Sequence, residues 1–434
     1  MTLRLALTGD SILERRLLSR TDPELAPLFE LIRGADIAFT NLEVLPNDFR
    51  GDPALESGGS HFGAPSWVLD ELAEAGFGLF AAATNHALDY GIAGLLASID
   101  ELDKRGICHA GIGRNLEDAR RPAYLTHPAG TVAMLSCCST FAKGAEASAQ
   151  RPDMPGRPGL SPVHVETVHE VTPPQLAAIR EIAEQLGLER QRQQRIQLGF
   201  AFPPAEPELV PLGDMLFREA ARPAIRTKAK AADLDAIARW VREARAGSDL
   251  VLVSLHTHEQ GETKEDPAEF VRPFARRMIE EGADLIVCHG PHLLRGIELH
   301  EGKPIFHSLG NLIGQNELVS RLPSDSYERF RADPALTPLL VYRQRTANDA
   351  RGFPSDPRYW ETVVPVCSFD GRRLTGIELH PVSLGLGEPA HRRGRPRLAG
   401  EAHGGHILQR LAEVSRPFGT ELDVGRGIAT VRLA

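Results

Sequence analysis

ADLIVCHGPHLLRGIELHEGKPIFHSLGNLI, residues 283–313, is the stretch on which the fold is read. It opens with an apolar strand, Leu285 to Cys288, and stops at His289-x-x-His292. Two further strands joined at Gly302-Lys303 follow within GIELHEGKPIFHSLGN (296–311). A short apolar run of this kind fits a strand covered on both faces, as in a parallel sheet. Ionisable groups placed directly after it lie where α/β sheets gather their ligands, at the carboxyl ends of strands.

Working outward, the same arrangement recurs. A helix at about 267–281 precedes this strand, and a helix at about 233–245 precedes DLVLVSLH (249–256). Near the start, Leu3, Leu5 and Leu7 give a strand running into Gly9-Asp10, and DIAFTNLE (36–43) gives a second that ends in acid. Gly78 to Ala83 runs into Thr84-Asn85-His86, and residues 131–136 form another strand. Helices are expected from Pro65 to about Ala75, with Val68, Leu69 and Leu72 inward, and over 92–104, stopped by Gly106. Alternating strands and helices predict α/β layering. The organisation read from this is a first half of the core at 1–142, an insertion at 143–228, a second half at 229–361 and a small β-rich extension at 362–434 packed on the core. The insertion is rich in Pro, Glu, Arg and Gln, with no clear strand. One helix is expected in it, from Thr172 as N-cap to about Ile196, burying Leu176, Ile179, Ala183 and Leu186. It reads as a lid or an interaction arm.

Five strand ends carry chemistry: Asp10, Asn41-x-Glu43, Asn85-His86, His256-x-His258-Glu259 and His289-x-x-His292. Ionisable groups avoid burial unless paired or metal-bound, so five together point to a divalent-metal site. Carboxylates, an amide oxygen and imidazoles suit Mn, Ca, Mg, Zn or Fe and not a thiolate-selective metal. Cys288 adjoins His289, but its side chain should point to the opposite face of the strand. The net charge of −9, from 58 acidic and 49 basic residues, argues against a nucleic-acid partner. Five cysteines without a Cys-x-x-Cys pair predict reduced thiols. The first residues show no signal-peptide pattern, and no apolar run reaches the ~18 residues of a membrane helix. The expectation is a cytoplasmic protein with no membrane contact.

GDSIL (9–13), NLEVLP (41–46), TNHALDYG (84–91), SLHTHEQ (254–260) and CHGPHLLRGIELHEGKPIFHSLGNLI (288–313) together resemble the CapA-type poly-γ-glutamate synthesis proteins, a branch of the calcineurin-like metallophosphatase superfamily. The resemblance covers roughly residues 3–140 and 230–315, with a weaker echo in HPVSLGLGEP (380–389) and SRPFGT (415–420). It implies an α/β/β/α metallophosphatase-like sandwich, here with a helical insertion and the C-terminal extension. Asp10 resembles the superfamily's first-strand metal ligand, and Glu43 stands where a bridging carboxylate is found. Asn85 resembles the amide ligand and His86 the catalytic histidine beside the metal. His256 and His289 resemble ligands of one metal and His292 of the other. One departure matters: the superfamily's Asp-x-His is Asp10-Ser11-Ile12 here, so an apolar side chain replaces a ligand. A single, water-rich metal site is therefore expected.

Three reactions are open at this point. The first is hydrolysis of a phosphoester or amide, with His86 protonating the leaving group; only Lys303 and Arg295, on the following hairpin, offer positive charge near the motifs. The second is epimerisation at a peptide Cα by histidines on either side of it, each oriented by a carboxylate. Asp89 is the candidate partner of His86, and Glu259 and Asp266 lie near His256 and His258 in sequence. The CapA-like branch includes epimerases of lasso-peptide pathways, which this chain resembles, so the expected substrate is a peptide, including a precursor peptide with its leader. The third is a binding module with a vestigial site, which the surviving ligands disfavour. Epimerisation is the favoured expectation, with His86, Asp89, His256 and His258 as the catalytic candidates. His258, where the family has a small residue, reads as a substrate-facing base or a solvated side chain. The Arg-rich run 189–195 reads as a solvated helix face or a seat for an acidic leader.

Overall fold

In the strand Thr2–Ile12, Leu3, Leu5 and Leu7 turn to one side and pack with Phe39, Leu79, Met134, Leu252 and Val287. Ala6 and Ile12 share the opposite core with Leu28, Phe29, Val68, Leu72 and Leu95 from three helices, Ala26–Arg33, Trp67–Ala75 and Gly91–Lys104. A strand apolar on both faces has to be covered on both, and here a second sheet covers one face and helices the other. The second sheet has the same character. Its outer face buries Val251, Val253 and Ile286 against Ile237, Val241, Phe274 and Met278 of helices Ala231–Gly247 and Val271–Glu280. In this computed structural model, which describes residues 2–433, the layers are helix, sheet, sheet, helix. The architecture is the expected α/β/β/α sandwich.

In the first sheet, Thr2–Ile12, Ile37–Leu42, Leu79–Ala81 and Cys108–Ala110 run parallel, in that order, the last at the edge. In the second, Gly130–Cys138, Leu250–His256, Leu285–His289 and Lys303–Phe306 do the same. The register pairs Asp10 with Asn41 in one sheet and His256 with His289 in the other. All the chemistry-bearing ends thus emerge at one edge of the sandwich. Gly9 permits the closure there, since a Cβ on it would lie 1.9 Å from the carbonyl oxygen of Gly310.

Two expectations need correction. The C-terminal segment is not an extension laid on the core. Glu361–Asp370 pairs antiparallel with Thr2–Ala6, and Arg373–Ser383 pairs with it in turn, so both belong to the first sheet. Pairing across such a separation leaves no local mark in the sequence. The insertion is not simply helical. Val165–Val171, Val210–Leu212, Met215–Glu219 and Ala224–Ala229 form a four-stranded sheet of their own. These strands hide behind charged residues such as Glu166, Glu170, Arg226 and Lys228, which mask a short period of two. The expected single helix is two, Pro173–Gln185 and Leu188–Gln197, broken at Gly187 with φ 70°. Thr172 does cap the first through a reciprocal pair with Gln175. Leu176 and Ala183 are buried, but Leu186, at the break, is 66% exposed.

Candidate metal centre

Asp10 is wholly buried where the Thr2–Ile12 strand ends, and Asn41 from the neighbouring strand donates to its Oδ1 at 2.9 Å. The second sheet brings imidazoles to the same point. His289 Nδ1 lies 3.5 Å from Asp10 Oδ1, and His292 Nδ1 lies 3.2 Å from Asp10 Oδ2 and 3.7 Å from Glu43 Oε2. His256 Nε2 is 3.7 Å from Glu43 Oε1, and its Nδ1 stands 3.3 Å from Asn41 Nδ2. His292 holds a positive φ of 60°, an uncommon conformation for this residue type, and its Nδ1 meets Asn311 Oδ1 at 2.9 Å. One atom each from Glu43, His258 and His292 lie within 4.8 Å of one another.

Several buried polar atoms here have no hydrogen-bond partner among the described residues: both oxygens of Glu43, both ring nitrogens of His289, and Oδ1 of Asn41 and of Asn85. An unpaired buried polar atom ordinarily costs about 1–3 kcal/mol, so their concentration at one point calls for a shared partner. The ionisation pattern agrees. Burial pushes the Asp10 carboxyl up, but the hydrogen bond from His292 and the charge that the surrounding histidines carry at the acidic pH where Asp10 titrates outweigh that and hold it well below the usual range. Burial and the negative charge of Asp10 push Glu43 well above its usual range. Burial lowers His256 to about 3 and His289 to about 4, so both are neutral at pH 7, the form that ligates metals. Oxygen and neutral nitrogen donors with unsatisfied lone pairs fit a divalent cation.

His86 stands at the side of this cluster. Its Nδ1 is 2.7 Å from Asp89 Oδ2, which also accepts from the Phe62 amide at 2.8 Å. Its ring packs on Phe62 at 4.3 Å between centroids. Above the cluster opens a cavity of about 500 Å³ whose floor includes Ile12, His86, His258 and His292. Asn85 lies beneath a tight loop, and a Cβ on Gly58 would fall 1.8 Å from its Nδ2. His256 is fully buried and stands behind His258, with 3.1 Å between their Nε2 atoms. His258 is half-buried and lines the cavity, and burial pushes it well below its usual pKa.

The expected carboxylate partners of His256 and His258 are elsewhere. Glu259 accepts from the hydroxyls of Ser139, Thr140 and Thr257, and Asp266 accepts from Thr263. Both serve loop geometry, because adjacent residues on an extended segment point to opposite sides. Lys303 reaches the Ala283 carbonyl and takes no part, whereas Arg295 lines the cavity. Cys288 is buried on the far face, its thiol pushed up to about 12 by burial. The sequence reading missed the cavity wall made by Lys264, Tyr342, Arg345, Arg351, Phe353 and Tyr359. Phe353 lies 5.4 Å from the His292 ring and 4.4 Å from that of Tyr359. The signal available for it was the density of Arg and aromatic residues over 342–360, outside any strand.

Over residues 4–316 the sequence matches the family described as bacterial capsule synthesis protein PGA_cap. The chain belongs to this family. The uncharacterized protein y4sH of Sinorhizobium fredii is 32% identical over 438 residues, spanning 98% of this chain and 92% of that protein. The PGA biosynthesis protein CapA of Bacillus subtilis is 25% identical over 244 residues, spanning 56% of this chain and 44% of that protein. A solved structure of a hypothetical protein from Thermus thermophilus gives a TM-score of 0.40 at 11% identity, over 87% of this chain and 98% of that one. The cavity wall at 342–359 lies beyond the PGA_cap match. Among the described residues no helix is long and apolar enough to cross a membrane.

Proposed function

We propose that this PGA_cap family member is a divalent-metal-dependent enzyme that inverts a Cα centre in a peptide by proton exchange between histidines. The observation that supports this reading is the pairing of His86 with Asp89 in a cavity that also exposes His258. Asp89 holds the His86 ring through Nδ1 and leaves Nε2 as the nitrogen that exchanges a proton. One imidazole removes the Cα proton, the electron pair spreads onto the adjacent carbonyl, and the other imidazole returns a proton from the opposite face. Asp10, Glu43, Asn85, His256, His289 and His292 would hold the cation, which when bound supplies positive charge to polarise a substrate oxygen. Five free cysteines, four of them buried, fit a reducing cytoplasm, where a precursor peptide with its leader is the substrate we favour.

One observation favours hydrolysis instead. If a cation sits among Glu43, His258 and His292, His258 becomes a ligand and His86 is left as the single acid–base group. That arrangement suits cleavage of an amide or phosphoester with His86 protonating the leaving group. Incubating the metal-loaded enzyme with candidate peptides in D₂O separates the two. Epimerisation gains one mass unit in an uncleaved peptide with an inverted residue. Cleavage or phosphate release without deuterium at Cα would overturn it in favour of hydrolysis.

A further inference from the structure

Arg295 is 1% exposed, yet no carboxylate lies within ion-pair distance of it among the described residues. Its Nε donates to the Lys264 carbonyl at 2.9 Å and its Nη2 to the Glu259 carbonyl at 3.1 Å. Nη1 is buried and finds no partner among the described residues. Buried guanidinium groups are ordinarily neutralised, because an unpaired charge is costly to bury. Elsewhere this chain obeys the rule: Arg393, also buried, is held by Glu317 and Asp349. Arg295 is an exception, and it lines the cavity.

Its neighbours in the wall are unneutralised too. Lys264 Nζ meets Tyr359 Oη at 2.5 Å and has no carboxylate partner among the described residues, and Arg345 lies over the Phe330 ring at 4.7 Å without one. The carboxylate on this wall, Asp356, is held by Arg358 at 2.7 Å. The cavity is thus two-signed, with the Asp10 carboxylate beneath it and three cations without a carboxylate partner among the described residues beside it. Two donor groups of Arg295 pin the loop that carries His258, and the third, Nη1, stays unpartnered in the cavity wall.

We propose that Arg295, with Lys264 and Arg345, forms a binding subsite for an oxyanion of the substrate, a carboxylate or a phosphate, which fixes one end of the molecule while its reacting centre lies over the histidine floor. The subsite gives the proposed enzyme its substrate class and so rests on that reading, but anion binding itself requires neither metal nor turnover.

The test is calorimetric titration of the full chain, as purified and again after chelator treatment, with inorganic phosphate and separately with succinate. Saturable binding of either anion that survives chelation is expected. Arg295→Met, Lys264→Met and Arg345→Gln should each weaken it roughly tenfold, the size of one lost charged hydrogen bond. Tighter phosphate binding assigns a phosphorylated substrate, and tighter succinate binding assigns a carboxylate. If Arg295→Met fails to fold by circular dichroism, the two solvent-reaching variants carry the test. Neither anion binding the wild type, or Lys264→Met and Arg345→Gln both binding as it does, would overturn the subsite. A protein that binds the anion but leaves peptides undeuterated overturns the epimerase reading alone. One that incorporates deuterium but binds neither anion overturns the subsite alone.

Discussion

Asp10 in the floor of the site and Arg295 in its wall are both buried charges, but they are held in different ways. Asp10 sits in strand register with Asn41 and Asn311, and histidines from the facing sheet surround it. Arg295 is held by two loop carbonyls and shares the cavity with residues of the helix Pro338–Arg345 and of the short helical turns that follow it. The floor is built on the ends of parallel strands, and the wall on a short helix, two helical turns and the loops between them. This division suits a scaffold whose chemistry stays fixed while its substrate choice varies. Changes in the floor should therefore abolish function, and changes in the wall should retune it.

The largest effect is expected for the floor's ligands. His256→Ala and His289→Ala should lose bound metal by more than the roughly 10–100-fold that outer partners of a metal site cost. Elemental analysis of purified variants measures this, and full metal in both would break the distinction drawn here. Next comes His86→Ala, which should keep its metal and lose turnover by roughly 10²–10⁴-fold. Asp89→Asn should keep metal as well and lose less, because the ring remains but its orienting acceptor is altered.

A pH effect of intermediate size sharpens the comparison. Burial holds His289 near 4, against 6.5 for the free side chain. Between those values the unfolded chain binds more protons, so this contribution to stability falls as pH is lowered from about 6.5. Glu43, raised by burial, contributes with the opposite sign over the acidic range. The melting temperature of the chelator-treated protein at about pH 7 and about pH 5 should therefore be compared with that of His289→Asn, whose slope should be flatter if imidazole burial governs this window. The smallest effect belongs to the wall. Phe353→Ala removes a ring beside His292 and should raise KM roughly fivefold, about 1 kcal/mol, with metal content unchanged.

The floor was legible because apolar runs such as Leu250–Leu255 and Leu285–Cys288 end abruptly in His, and a strand end is a local event in sequence. Asp89 was legible for the same reason, as it stands three residues from His86 on one turn. The wall was not. Lys264, Arg345 and Phe353 meet only through tertiary packing, and no period marks them. Glu259 misled because adjacency in sequence says nothing about which way an extended residue points. The small sheet of the insertion escaped because its strands carry charge on positions that a buried strand would fill with Val or Ile.

The pairing of Thr2–Ala6 with Glu361–Asp370 also bears on how the protein is made. The Thr2–Ala6 stretch leaves the ribosome before both of its partners and gains the Ile37–Leu42 strand soon after, but its other edge waits for Glu361–Asp370. At about 5–20 residues per second, that wait lasts on the order of 20–70 seconds. Through that interval an apolar strand edge is open to any passing chain. The nascent protein should therefore depend on chaperones that shield such an edge, and truncation before residue 361 should yield insoluble protein although every proposed metal ligand is already present.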